Sequence, residues 1–475
     1  VTYVPGLYKI FDEILVNAAD NCQRDPPTKK IQVEINQEEG FISVWNDGKG
    51  IPISQKYDEK DETSYWIPEF IFGHLLTSSN YDDNKKRTTG GRNGFGAKLA
   101  NIYSNKFVVE CNSTNPEDGK FYEYVQVFTN HMENIEKPKI KEIKKKSPKT
   151  STKITFYPDC QLFAMDKLDD DIISLFTKRV YDMAGCLEKC DVILNGQKIQ
   201  IKNFDDYCKK YLPEGADFIS QEVNDRWKVG VALSSADTLL QVSFVNSVNT
   251  TRGGTHVDLI SNQVADFLVS KLQTKELQIK KTFAKNFLFI FVNCLIENPS
   301  FDSQTKDTLT LPASKFGSKC ELPDNFLKKI LKTEIPNKIK EFASYKQKSS
   351  MKKMGGRKTA RIHGIEKLVD ANEAGKKDSK KCTLILTEGD SAKSMAVTGL
   401  SVIGRDLFGV FPLRGKLLNT RDISTQKLAK NEEIQNLMKI MALKPNTKYD
   451  TKESLNELRY GSIMIMADQD QDGSH

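Results

Sequence analysis

The 475-residue chain has no run of eighteen apolar residues. Its longest apolar stretches, "FLFIFVNCLI" (287–296) and "SIMIMA" (462–467), are strand-length, so no membrane span is expected. The first residues, "VTYVPGLYKIFDEI", contain neither an initiator Met nor a basic-then-apolar signal peptide. A chain that begins inside a longer protein is the expectation. The nine cysteines show no paired spacing: Cys186 and Cys190 form a C-x3-C with no second pair, which is not the usual zinc-ligand pattern. The odd number suits a reducing, intracellular compartment. There is no internal repeat. Hydrophobic residues at 38% and charged residues at 28% are ordinary for a soluble globular protein, and the length allows two or three domains. A net charge of +7 is a weak pointer to an anionic partner.

Glu13, Asn17 and Asn21 follow one another at steps of four. In a helix that spacing lines them along one side, each displaced by about 40° from the last. Asparagine is a mediocre helix former, so two in mid-helix need a reason. One reading is an exposed polar stripe, although such stripes usually carry Lys–Glu pairs and this one carries none. The other is a site where Asn17 offers a neutral oxygen to a divalent metal and Glu13 holds and deprotonates a water. Further on, "ISVWNDGKGIP" reads as a strand that breaks at Asn46, where two glycines let the backbone approach a flat ligand and the amide oxygen can accept an amine hydrogen. Small hydroxyls and an amide follow at Ser78, Ser79 and Asn80. "TGGRNGFGAK" then offers backbone N–H groups to an anion, with Arg92 and Lys98 adding positive charge. No G-K-[ST] follows, so the segment is not a Walker A loop.

The order of these segments resembles the ATPase superfamily shared by gyrase, the large stress chaperones, histidine kinases and mismatch-repair clamps. Within it, "FDEILVNAADN", "WNDGKGIP", "LLTSSNYDD" and "GRNGFGAKLANIYS" resemble the eukaryotic-type DNA topoisomerase II family. The resemblance implies that Glu13 is the general base and that Asn17 is the magnesium ligand. It implies that Asn46 contacts adenine, with Asn21 in the same ATP site. Ser78, Ser79 and Asn80 are implied nucleoside contacts. Gly91, Arg92, Asn93, Gly94, Phe95, Gly96, Ala97 and Lys98 are implied phosphate contacts. Asn46 is a departure, since most of the superfamily has Asp there; an amide oxygen can fill the same role. In "NPSFDSQTKDTLT", Gln304, Thr305 and Lys306 resemble a loop that reaches the γ-phosphate, and an ammonium placed there couples hydrolysis to interdomain motion.

Between Glu341 and Glu366 there is no acidic residue, while Lys352, Lys353, Arg357 and Lys358 fall in that gap. The stretch is either a solvated linker or a phosphate-contacting one. The end of the chain, "ADQDQDGSH", matches the first half of a calcium loop in spacing, yet the Met- and Ile-rich run before it has no helical period and position twelve would lie beyond His475. Instead "TLILTEGD" and "SIMIMADQD" read as two buried strands ending on carboxylates, which converge at a sheet edge. Together these segments resemble the metal-binding fold of topoisomerases and primases called TOPRIM. In that resemblance Glu388, Asp468 and Asp470 hold magnesium with Asp472 close by, and Lys416 and Asn419 of "PLRGKLLN" face DNA.

The expected fold is multidomain α/β and α+β: a gyrase/chaperone/histidine-kinase-type ATPase sandwich over 1–200, a transducer α/β domain over 201–344, a basic linker over 345–381 and a partial TOPRIM α/β unit over 382–475. The resemblance implies an ATP- and magnesium-dependent part of a nuclear, homodimeric enzyme that cuts double-stranded DNA and passes a second duplex through. It also implies that the tyrosine nucleophile and the N-terminal arm lie outside this chain. Two other functions are weighed: an ATP-latched clamp or chaperone that does not cleave DNA, and a non-catalytic DNA- or calcium-binding module.

Overall fold

The computed structural model describes every residue except 1–2, 59–61, 75–85, 92–93, 355, 357, 360, 416, 420–422, 424–427, 429, 446, 471–472 and 475, and gives only the backbone of 348–354. Helix α1, Pro5–Asp20, starts on a proline, where the missing N–H costs no helical hydrogen bond. Leu7, Ile10, Phe11, Ile14, Leu15, Ala18 and Ala19 recur at helical spacing and are all buried. The helix stops one residue earlier than the four-step pattern suggests: Asn21 is its C-cap and opens a short turn, so only Glu13 and Asn17 of that trio are helical.

Eleven strands follow in the order β1 (Lys30–Asn36), β2 (Phe41–Asp47), β3 (Gln55–Asp58), β4 (Thr63–Trp66), β5 (Ser104–Thr114), β6 (Phe121–Thr129), β7 (Asn134–Ile135), β8 (Lys139–Glu142), β9 (Ser151–Pro158), β10 (Asp191–Leu194) and β11 (Gln197–Lys198). Apart from the β3–β4 hairpin they form one sheet in the order β11-β10-β1-β2-β9-β5-β6-β7, with β8 also on β6. Its pairs are antiparallel except β1 with β10. The lysine-rich stretch 137–149 contributes β8, then the chain runs irregularly from 143 to 150. Helices α2 (Ile67–Gly73), α3 (Gly96–Ile102) and α4 (Asp170–Cys186) accompany the sheet, and α1 packs against α3 and α4. Asp169 caps α4 by accepting the Ile172 N–H at 2.8 Å, and Asp170 and Asp171 complement the helix dipole. Phe11 and Phe176 meet across α1 and α4 with ring centroids 4.4 Å apart. Each such fully buried ring contributes roughly 1.5–3 kcal/mol.

A second sheet has the order β12-β13-β16-β14-β15, from Phe218–Asn224, Trp227–Leu233, Leu240–Val245, Val248–Asn249 and Leu288–Cys294 as β12 to β16. Helix α5 (Phe204–Lys209) precedes it and α6 (Thr255–Leu272) follows β15. β14 and β15 are joined by the two-residue turn Asn246–Ser247, with φ of 50° and 62°. That is the hand of turn whose twist matches a hairpin. Both sheets belong to one compact unit, Val1–Ser270 with Ala284–Pro336; Lys271–Phe283 with Asn337–His475 forms another.

In the second unit β17 (Thr383–Glu388) lies between β18 (Phe408–Leu413) and β19 (Ser462–Met466), all parallel. Two expectations are corrected there. β19 is not buried: Ile463, Met464 and Ile465 are 51%, 49% and 75% exposed on an edge strand. Residues 345–381 are not a simple linker. The helix Ile335–Met354 runs into them, and Ala371 and Ala374 share a core with Cys382, Leu384, Leu386, Phe411 and Tyr460. Arg459, fully buried, ties that region together by donating to Asp370, to Thr359 O at 2.9 Å and to Ile440 O at 3.0 Å. Among the described residues no helix is long and apolar enough to cross a membrane.

Candidate nucleotide site and carboxylate pair

Glu13 is 6% exposed, halfway along α1. Lys306 Nζ donates to its Oε1 at 2.7 Å and to Gly90 O at 3.3 Å. Lys9 Nζ lies 3.0 Å from the same oxygen. On the other side stands Gly96, the first residue of α3; a Cβ there would lie 2.1 Å from Glu13 Oε2. Burial pushes the Glu13 carboxyl up, but the ammonium groups of Lys306 and Lys9 outweigh it and hold it below its ordinary value. The carboxylate is therefore ionised at neutral pH and fixed between a lysine and a glycine. Ionised, it can accept a proton, although the two ammonium groups make it a weaker base than a free glutamate.

Asn17, one turn further on, is exposed, while its helical neighbours Val16 and Ala18 are buried. Its Oδ1 lies 3.5 Å from where a Cβ on Gly91 would stand. Asp20, which spacing alone did not single out, holds the glycine segment: Oδ1 accepts the Gly90 N–H at 2.8 Å and Oδ2 the Gly91 N–H at 2.9 Å. Burial raises its carboxyl to about 6 against the pull of those two donors. The signal available in the sequence was a buried-face carboxylate three residues after Asn17.

Asn21 is placed as a brace. Its Nδ2 donates to Asp47 O at 3.2 Å and Lys49 O at 3.1 Å, securing the turn after β2. Asn46 is buried near the end of β2, with Nδ2 donating to Asp47 O at 2.7 Å. The neighbouring Asp47 carboxylate is occupied by the Lys29 and Lys30 N–H groups at 2.7 and 2.9 Å, which fastens β2 to the start of β1. Gly48, at φ 98°, passes so close to Thr28 that a Cβ would lie 2.7 Å from its nitrogen. Lys98 is buried, donates to Gly94 O at 2.7 Å, and its ammonium is pushed down to about 8 by burial. Phe95 caps α3 and Ala97 is buried in it. Ser78, Ser79, Asn80, Arg92 and Asn93 lie outside the described residues.

Lys306, at φ 62°, sits in a loop fastened to the segment before α6. Arg252 N–H donates to Asp307 O at 3.0 Å, Leu309 N–H to Gly253 O at 3.0 Å, and Thr251 Oγ1 to Asp307 Oδ1 at 2.6 Å. Thr305 Oγ1 donates to Asp307 Oδ2 at 2.5 Å, while Gln304 is exposed. Beside Glu13, Asp12 makes a buried ion pair: Arg179 Nε donates to Asp12 Oδ1 at 2.7 Å, and Arg179 Nη2 donates to Ser247 O at 2.6 Å. Burial would raise the Asp12 carboxyl, yet Arg179 and then Lys9 hold it well below the usual carboxylate range.

In the second unit the parallel register brings Glu388, at the end of β17, to the segment after β19. The Asp468 N–H donates to Glu388 Oε2 at 3.4 Å. Asp470 Oδ1 accepts the Gly473 N–H at 2.7 Å, and Asp472 lies outside the described residues. No cluster of three His, Cys, Asp or Glu assembles among the described residues. The contact between the two segments is made by the Asp468 backbone N–H, and the Glu388 carboxylate offers hard oxygens of the kind magnesium takes. Lys358 is exposed and donates to Asn456 O at 2.7 Å; Asn419 is exposed. Arg357, Lys416 and the side chains of Lys352 and Lys353 lie outside the described residues.

Residues 3–159 match the family described as "Histidine kinase-, DNA gyrase B-, and HSP90-like ATPase", and residues 192–359 match "DNA gyrase B". The whole chain is 52% identical to DNA topoisomerase 2 of Arabidopsis thaliana, of which it spans 32%. The ATPase region of Saccharomyces cerevisiae topoisomerase II superposes with a TM-score of 0.66 at 48% identity, covering 72% of this chain and 88% of that one. The ATPase and transducer domains of DNA topoisomerase II from Balamuthia mandrillaris superpose with a TM-score of 0.67 at 45% identity, covering 73% and 87%. The mixed α/β fold is thus that of the topoisomerase II ATPase region, and the chain spans about a third of the length of the curated relatives it matches. With nearly all of a solved ATPase region matched at that identity, this chain belongs to the eukaryotic DNA topoisomerase II family.

Proposed function

We propose that this chain binds ATP with magnesium and hydrolyses it, as the nucleotide-driven part of a nuclear, dimeric enzyme that passes one DNA duplex through a break in another. The observation that carries the reading is the buried, ionised Glu13 fixed between Lys306 and Gly96. Glu13 holds a water and takes its proton as the oxygen attacks. Lys306 places positive charge where charge grows on the leaving and transferred groups. Asn46 and the turn braced by Asn21 present the adenine end, and Asp20, by accepting the Gly90 and Gly91 N–H groups, fixes the glycine segment that approaches the phosphates. Asn17, with its exposed neutral amide, is the residue that would hold magnesium, which when bound neutralises phosphate charge. Glu388 and Asp468 serve the DNA-cleaving reaction of the whole enzyme, and an ATP-latched clamp has no use for them.

Glu13→Gln tests the hydrolytic half. Nucleotide binding, followed with a fluorescent ADP, should stay within about threefold, while ATP turnover falls about 10²-fold or more. Turnover equal to the parent's would remove Glu13 from the chemistry. Stimulation of turnover by duplex DNA, measured on the same preparation, separates the topoisomerase reading from a clamp that ignores DNA.

A further inference from the structure

Asn246 is buried in the tight turn between β14 and β15, and its side chain serves neither strand. Its Nδ2 donates to Thr89 O at 3.1 Å and to Ile296 O at 2.9 Å, while its Oδ1 accepts the Ile296 N–H at 2.8 Å. Thr89 directly precedes Gly90, whose carbonyl accepts from Lys306. Ile296 opens the segment that leads to Lys306 itself. The two segments also touch beyond the amide: Asn298 N–H donates to Arg87 O at 2.9 Å. Gly90 is closely packed there, since a Cβ would lie 2.8 Å from Val16 of α1 and 3.1 Å from Asn246 O.

We propose that Asn246 is a positioning residue for hydrolysis: its amide clips the glycine segment to the Lys306 segment, so that both meet Glu13 in one register. The proposal rests on the ATPase reading above. Neither segment belongs to a sheet of its own, and a buried amide with its groups satisfied holds one orientation. Displacement by a fraction of an ångström weakens attack far more than it weakens binding.

Asn246→Gly deletes all three bonds and accepts the positive φ without strain. Asn246→Asp keeps the acceptor for Ile296 but puts an oxygen where Nδ2 donated. Both should lower the kcat for ATP about tenfold or more, with ADP affinity within about threefold. Adding Lys306→Ala to Asn246→Gly should slow turnover no further than Lys306→Ala alone, because both act on one register. Parent-like turnover in either variant, or effects that multiply in the double variant, would overturn the proposal. So would failure of both variants to fold, which makes Asn246 a purely structural residue. A parent without ATP turnover would instead sink the ATPase reading.

Discussion

Replacing Arg179 by Met is expected to destabilise the first compact unit by about 4 kcal/mol, chiefly because it leaves Asp12 buried without its strongest partner. The range for breaking a buried pair is about 3–5 kcal/mol. The lower end applies because Lys9 Nζ remains 2.9 Å from the other oxygen of Asp12. Loss of the donor to Ser247 O adds about 1 kcal/mol. Urea denaturation followed by circular dichroism reads this directly, and the melting temperature should fall by roughly 6–8 °C. Acid supplies a second signature. A carboxyl depressed in the folded state contributes stability above its unfolded value of about 3.9, which is lost as pH falls through the folded value. The deficit of Arg179→Met should therefore shrink below about pH 4. Removing both charges, as Asp12→Leu with Arg179→Met, should recover most of the loss. A loss below about 1 kcal/mol, or a double variant weaker than the single, would mean that Lys9 satisfies Asp12 and that Arg179 is dispensable.

Gly96→Ala should misplace the Glu13 carboxylate and cut ATP turnover about 10²-fold while the protein stays folded; normal turnover would show that the carboxylate can yield. Asp20 behaves oppositely to Asp12. Its carboxyl is raised from 3.8 to about 6, so the stability linked to its proton is present below pH 4 and lost as pH rises through 6. Asp20→Asn should gain on the parent by on the order of 2 kcal/mol between pH 4 and pH 7, and a flat difference in denaturation midpoints would contradict the buried charge. Glu388→Gln should weaken Mn²⁺ binding to the whole enzyme about tenfold by calorimetry, whereas unchanged affinity would remove Glu388 from the metal site.

Spacing shows part of the geometry, while the roles of the site residues rest on the family resemblance. The buried face of α1, the glycine segments and the strand that ends on Glu388 all announce themselves within ten residues. What spacing could not show were partners far apart in the chain. Arg179 is one arginine on an ordinary amphipathic helix until Asp12, 167 residues away, stands against it. Asn246 reads as a turn residue, because its bonds to Thr89 and Ile296 span 157 and 50 positions. Burial was harder still. The Met- and Ile-rich β19 looks like an interior strand, although it lies at an exposed sheet edge. The polar composition of 345–381 hid the small residues Ala371 and Ala374 that reach a core. Asn21 shows the limit of periodicity, since the helix ends just before it and its amide turns to the backbone.

The Lys306–Glu13 contact also has a consequence in time. The two residues are 293 positions apart, and at about 5–20 residues per second a ribosome needs roughly 15–60 s to make the lysine after the glutamate. Through that interval the apolar face of α1 can pack, while its buried carboxylates Asp12 and Glu13 have Lys9 as their nearby cation. Arg179 arrives partway through and Lys306 last. The pairing of Glu13 with Lys306 is therefore expected to be among the last contacts of α1 to form, after its apolar face has packed.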